Sequence, residues 1–298
     1  MDLRAIALGI AFAAMWSSAF ASAKMIVVDA PPLTALALRF LISGVVGCGI
    51  ALMLGQSWRL SRAQWRATLV FGLCQNALYL GMNFIAMQRI DAGLAAIIAS
   101  AMPLLVAFAG WAFRGQRLQP MGLVGLAAGF AGVAVIMGTR LSGGVDLIGV
   151  ALCVAGVLAL TVATLSVSGA SAGGNVLMVV GLQMLIGAAL LSVTAVTFET
   201  WQVAWSPRLV GAFVYTTLVP GLLATFTWFI LVQRIGAVRA ATFHFLNPFF
   251  GVAVAAITLG ERIGPFDILG VGIIMGGILA VQLAKARPAP QTGQKNVL

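Results

Sequence analysis

Charge is scarce in this chain. Asp, Glu, Lys and Arg together make up 8% of the 298 residues, against roughly a quarter in soluble domains. The seven acids are Asp2, Asp29, Asp91, Asp146, Glu199, Glu261 and Asp267, and each lies at or near the end of an apolar run. No carboxylate therefore sits at mid-membrane, which argues against a cation exporter that shares a buried acid between proton and drug, and against an aspartyl intramembrane protease. Histidine occurs once, as His244, and cysteine three times, as Cys48, Cys74 and Cys153, with no CxxC or Cys/His spacing. That pattern supports neither a zinc site nor a disulfide framework, so no metal and no cofactor is expected. A serine protease needs a nucleophile, a histidine base and an oxyanion hole. With a single histidine and no Gly-x-Ser-Gly, an enzyme is not expected.

Apolar residues are abundant, at 61%, more than a soluble core could hide. A bilayer's hydrocarbon is about 30 Å thick and asks for roughly 20 apolar residues per helix. Ten such runs are predicted, near 5–27, 33–54, 66–87, 92–113, 118–138, 145–167, 175–197, 209–231, 237–259 and 265–284. Residues 84–132 return as 229–277 at a constant offset of 145, with fourteen of 49 positions identical. Gln88-Arg89-Ile90 returns as Gln233-Arg234-Ile235, Pro103 as Pro248, Gly115 as Gly260, Arg117 as Arg262 and Pro120 as Pro265. A long duplication in so apolar a chain points to a transporter of two structural halves with its binding site where they meet. The fold class expected is an all-α polytopic membrane protein, ten transmembrane helices forming two inverted five-helix repeats around a central cavity. Residues 1–139 form the first repeat, 140–285 the second, and 286–298 a disordered cytoplasmic tail.

Five spans per half would bring the second copy into the bilayer from the opposite side, and the positive charges test this. With the N-terminus inside, the cytoplasmic side collects eleven of the seventeen Lys and Arg residues, the outer side five (Lys24, Arg89, Arg140, Arg208 and Arg262), and Arg39 lies within span two. The bias puts both termini in the cytoplasm. The net charge of +10 then reads as topology and contact with anionic lipid; basic residues scattered over short loops do not suit nucleic acid. Ala21-Ser22-Ala23 imitates a signal-peptide cleavage site, but removing span one would break the symmetry, so it is expected to stay. Gly125/Gly129 and Gly272/Gly276 have small-xxx-small spacing, which suits an inter-half or dimer seam or ordinary packing within a monomer. No partner chain is required.

Several residues single themselves out as a candidate site. Pro103 and Pro248 fall at mid-span, where proline removes a helix hydrogen bond and clashes with the carbonyl four residues back, freeing the carbonyls of Ala99 and His244. Two related kinks at one depth suggest a gate. Beside the second lie His244 and Asn247, polar groups that hydrocarbon tolerates only against a polar interior. Asn83 and Trp228 occupy equivalent depths, Tyr79 lies one turn before Asn83, and Trp16 and Ser17 add a ring and a polar edge in span one. Aromatic rings away from the interfacial belts suit an apolar or aromatic substrate. Arg39, about 10 Å below the outer boundary at 1.5 Å per residue, either snorkels outward or holds an anionic group.

Trp16-Ser17-Ser18-Ala19-Phe20, Pro32 followed by Arg39-Phe40, the paired prolines, and Gly260-Glu261-Arg262 with Pro265 and Gly270 resemble the EamA-type repeat of the drug/metabolite transporter superfamily over residues 4 to about 284. The first copy departs from the pattern, with Gln116 where the second has Glu261. The resemblance implies ten helices in an inverted repeat and export of small metabolites across a bacterial inner membrane; within the superfamily the chain is most similar to the YddG-type aromatic amino acid exporters. The function expected is export of small metabolites, amino acids with aromatic or other apolar side chains foremost, by alternating access as a facilitator. The alternatives are a proton-coupled exporter of drugs or other metabolites using His244, and more remotely a channel or receptor.

Overall fold

A computed structural model describes residues 2–116, 118–167 and 174–286. Of the expected tail, 286–298, Ala286 instead ends the last helix, and 287–298, with Arg287 and Lys295, lie outside these residues, as does Arg117. The described residues contain no strand. Among the described residues ten helices are long and apolar enough to cross a membrane: spans one to ten are Leu3–Asp29, Pro32–Met53, Arg62–Ala86, Ala92–Arg114, Pro120–Ser142, Leu147–Ser166, Val176–Phe198, Pro207–Ile235, Arg239–Leu259 and Pro265–Ala284. Each predicted run has its helix, with ends displaced by a few residues. Span one is continuous through Ala21–Ala23, which are buried.

The helix ends follow local chemistry. Asp2 caps span one by accepting the Ala5 N–H at 3.0 Å. Ser61 and Gln64 form a reciprocal capping box on span three. Prolines 32, 120 and 207 occupy the first turns of their helices, where the missing N–H costs nothing. Gly115 and Gly260, equivalent under the 145 offset, end spans four and nine with φ of 63° and 70°, a conformation that a Cβ strains. Outward faces are apolar, with Val124, Val193 and Ile257 each at least two-thirds exposed, as lipid contact requires.

Four of the described spans are irregular at mid-depth. Span three is π-helical over Gly72–Leu80 and span eight over Thr217–Leu223; both segments begin at equivalent positions, since 72 plus 145 is 217. Span four breaks at Ala101, and span nine runs as a 3-10 helix through Thr242–Leu246 before Asn247 starts a new α-helix. Pro103 and Pro248 sit in the first turn after each break. Here the structure corrects one expectation. The carbonyl of His244 is not left free, because the backbone tightens and it accepts the N–H of Asn247; at the first break the Ala101 N–H turns to the Ile98 carbonyl at 3.1 Å. A shortened repeat satisfies within the chain what proline would otherwise have orphaned.

Two seams join the halves. Spans five and ten pack along glycines so closely that a Cβ on Gly277 would lie 2.6 Å from the Gly125 carbonyl oxygen, and one on Gly270 would lie 3.0 Å from that of Gly132. Spans two and seven approach likewise at Gly44 and Gly181. The first-half pair Gly125/Gly129 belongs to this intrachain seam. Gly272 and Gly276 do not: a Cβ on either meets nothing within 4 Å, and the register instead turns Gly270, Ile274 and Gly277 to the contact.

Contacts between helix ends fall into two groups. In one, Arg234 binds Asp2, Asn175 accepts the Ser57 N–H at 2.9 Å and Gln56 the Met178 N–H at 3.0 Å. In the other, Lys24 donates to the carbonyls of Met87 and Ile90 at 2.6 and 3.0 Å, Arg89 pairs with Asp146 at 3.2 Å, and Arg140 bridges Asp91 and Asp267 at 3.4 and 2.9 Å. The Gly149 N–H, aided by Arg89, holds the Asp146 carboxyl below its usual range. In this second group, Glu199 accepts the Leu33 and Thr34 N–H groups at 2.7 and 2.8 Å, and Glu261 those of Ala92 and Gly93 at 2.7 and 2.9 Å. Two second-half carboxylates thus cap two first-half helices where the free N–H groups and helix dipole favour negative charge.

Candidate functional site

Eight of the ten spans surround a cavity of about 500 Å³, and among the described residues of its wall none comes from spans five and ten. That size suits a small organic ligand. From mid-depth it reaches Gln64 and Val176, within the first turns of spans three and seven, on the face where Asp2 meets Arg234. On the opposite face the Lys24 bonds tie span one to the end of span three. A second, shallower recess of about 1010 Å³ lies on that face, lined by Asp29–Leu33 and Phe198–Trp205.

One side of the cavity is aromatic. Phe12 lies 5.7 Å from Trp16, 4.8 Å from Trp228 and 5.4 Å edge-on from His244, and Trp228 lies 5.3 Å from His244. Phe12 and Trp16 share a helix face at i and i+4, a spacing that could have revealed Phe12 in the sequence. The Asn247 side-chain nitrogen lies 3.0 Å from His244 Nδ1, and its buried Oδ1 has no partner. Under the 145 offset His244 and Asn247 correspond to Ala99 and Met102, and all four line the cavity. The halves therefore offer matched positions, with the polar atoms on the second half alone.

Trp16, Tyr79, Trp228, His244, Asn247, Arg39 and Pro103 meet in this wall. Ser17, Asn83 and Pro248 do not. Ser17 is buried with its hydroxyl unpartnered, because its neighbour Trp16 takes the cavity side of the helix. Asn83 donates to the Tyr79 carbonyl at 2.8 Å and accepts from the Cys153 thiol at 3.4 Å; it borders only a smaller chamber of about 70 Å³ beside the main one. Arg39 does not snorkel. It is 6% exposed, and the Pro220-Gly221 stretch of the span-eight π segment flanks the cavity beside it. Gln75, Asn76 and Gln183 also line the cavity, and no motif in the sequence marks them.

Ten apolar spans, eight of them lining a central cavity, define a polytopic membrane protein with an internal cavity. The EamA-like transporter family profile matches residues 3–138 and again 147–283, so the chain belongs to that family of membrane transporters. Among similar proteins, the uncharacterized transporter YvbV of Bacillus subtilis is 27% identical over 281 residues, covering 94% of this chain and 92% of that protein. Protein PecM of Dickeya dadantii is 25% identical, over 88% of this chain and 86% of its own. The aromatic amino acid exporter YddG of Ancylobacter novellus is 31% identical over 113 residues, 38% of this chain and 39% of that one. A solved crystal structure shares the fold with a TM-score of 0.70 at 24% identity, over 96% of this chain and 99% of the other.

Proposed function

We propose that the protein exports small metabolites with aromatic or other apolar bodies, amino acids foremost, across a bacterial inner membrane by alternating access. The observation that carries this reading is the cluster of mutually packed rings of Phe12, Trp16, Trp228 and His244 facing a cavity of about 500 Å³. Rings held by one another offer flat apolar surface at low entropic cost. The partial likeness to an aromatic amino acid exporter favours the same class.

The halves, residues 1–139 and 140–285, are inverted and both termini are cytoplasmic in this reading. Two contacts support the inversion: Lys24, near the end of span one, meets Met87 and Ile90, while Asp146, at the start of span six, meets Arg89. Equivalent helices thus begin on opposite faces. The cavity then opens to the cytoplasm, as an exporter's loading state requires, and one chain suffices. Pro103 and Pro248, beside the two helix breaks, are the proposed gate.

Transport is facilitated rather than proton-driven. The described wall has no carboxylate, and His244 is held by Asn247 and two rings. Coupling at His244 is the second reading, since it is the one wall residue of a type that titrates near neutral pH. Counterflow into proteoliposomes, with phenylalanine, tryptophan, alanine and a lipophilic cation as probes, tests both. Saturable exchange of the amino acids is expected. Flux that neither saturates nor shows competition would make the protein a channel, and uphill uptake under a pH gradient that vanishes in His244→Gln would make it a proton exchanger.

A further inference from the structure

We propose that Arg39 is the anchor for a single carboxylate on the transported molecule, so that substrates must carry one. The inference rests on the cavity being the transport site. Arg39 is 6% exposed and lines both the main cavity and the smaller chamber beside it. It makes no hydrogen bond and no ion pair with any described residue, and its Nε is buried without a partner. The neighbouring Ser43 hydroxyl is buried and unpartnered as well. The one favourable contact is with the Phe40 ring, 5.4 Å from the guanidinium carbon, too weak to replace an anion.

A guanidinium keeps its charge under burial where other groups shed theirs. Left alone at membrane depth it costs several kcal/mol, and the described protein provides nothing that offsets this. A carboxylate from the cavity would. The planar fork donates to two carboxylate oxygens side by side, and Gly221 leaves the guanidinium room, since even an added Cβ there would stand 3.5 Å from Nη2. Charge count selects among anions. Arg39 is the sole Lys or Arg in the described wall, which has no acid, so a monoanionic carboxylate neutralises it and a phosphate dianion would overshoot. With the rings of Phe12, Trp16 and Trp228 in the same wall, the molecule's apolar body lies on the aromatic side and its carboxylate at span two. Lipophilic cations are then poor substrates.

The test pairs each carboxylate with its amide: phenylalanine and phenylalaninamide, alanine and alaninamide, phenylpropionate and phenylpropionamide, with inorganic phosphate added alone. Binding is read on the purified full chain in detergent by intrinsic fluorescence and melting temperature. The acids should bind at least about ten-fold more tightly than their amides, the scale of a charge-assisted hydrogen bond. Arg39→Gln should abolish that ratio, and Arg39→Lys, which keeps the charge without the fork, should leave a smaller one. Without ligand, Arg39→Gln should melt higher than the native protein, because it removes an uncompensated charge. A lower melting temperature would mean that Arg39 has a structural partner, and equal binding of acid and amide by the native protein would mean that the cavity does not sense the carboxylate. Either overturns the proposal, as does phosphate binding more tightly than every carboxylate. If the alanine pair is discriminated while the phenyl compounds bind no better than alanine, the aromatic reading fails and the Arg39 assignment stands.

Discussion

Replacing Glu261 with alanine removes the acceptor of the first two N–H groups of span four, held at 2.7 and 2.9 Å. Charge-assisted hydrogen bonds contribute about 1.5–3 kcal/mol each when buried, and a carboxylate at a helix N-terminus adds about 0.3–1 kcal/mol through the dipole. Glu261 is only half-buried, so water recovers part of this, and a net loss of about 2–4 kcal/mol is expected. Glu261→Gln keeps an acceptor oxygen without the charge and should lose about half as much. Because the cap crosses from one half to the other on the face away from the cavity opening, weakening it should also favour opening there. At about 1.4 kcal/mol per factor of ten, 2 kcal/mol would raise a minor open state roughly thirty-fold. The assay is twofold: the melting temperature of the purified protein, and the labelling rate of a cysteine at Ala23, which lines the small chamber, in a background lacking Cys48, Cys74 and Cys153. Melting and labelling both unchanged in Glu261→Ala would refute the argument. Glu199→Ala, which uncaps span two, should add to it within about 0.5 kcal/mol, since the two caps serve different helices.

Three further outcomes are expected. Gly277→Val should destabilise by at least about 1–3 kcal/mol through overpacking, since its first carbon would already lie 2.6 Å from the Gly125 oxygen; Gly276→Val, facing open space, should melt as the native protein does. Trp228→Ala removes ring contacts to Phe12 and His244, each contributing about 0.5–1.5 kcal/mol, and should cut counterflow of aromatic amino acids at least about ten-fold with expression retained; unchanged flux would move the site elsewhere. The Arg234 guanidinium lowers the Asp2 carboxyl from an ordinary 3.8 to about 2. A lowered folded-state value means stabilisation that is present above pH 3.8 and lost as pH falls toward 2, so the melting difference between the native protein and Asp2→Asn should be flat above about pH 4 and vanish below that window.

Much of the architecture was legible in the chain before any coordinates. Ten apolar runs of about 20 residues can only be spans, because hydrocarbon satisfies no backbone group and demands helices, and the offset of 145 marks the two halves in the identities at Pro103/Pro248 and Gly115/Gly260. The candidate site was legible in part. Rare polar and aromatic residues at mid-depth, such as His244, Asn247 and Trp228, stand out against an apolar background whatever the packing.

What the chain could not settle alone depends on rotation about each helix axis and on partners distant in sequence. Ser17 and Trp16 are adjacent, and only packing turns the ring to the cavity and the hydroxyl away. Gly272 and Gly276 have the spacing of a seam, yet Gly270 and Gly277 make it, because the facing helix sets the register. Arg39 could have snorkelled by length alone; it is buried instead beside the Pro220-Gly221 stretch of span eight, without a counter-charge among the described residues. Glu199 and Glu261 read as span-end acids, and tertiary structure placed them on helix ends more than 160 residues away. Hydrophobicity and period are local properties of a sequence, whereas which face meets which neighbour follows from the fit of all ten helices at once.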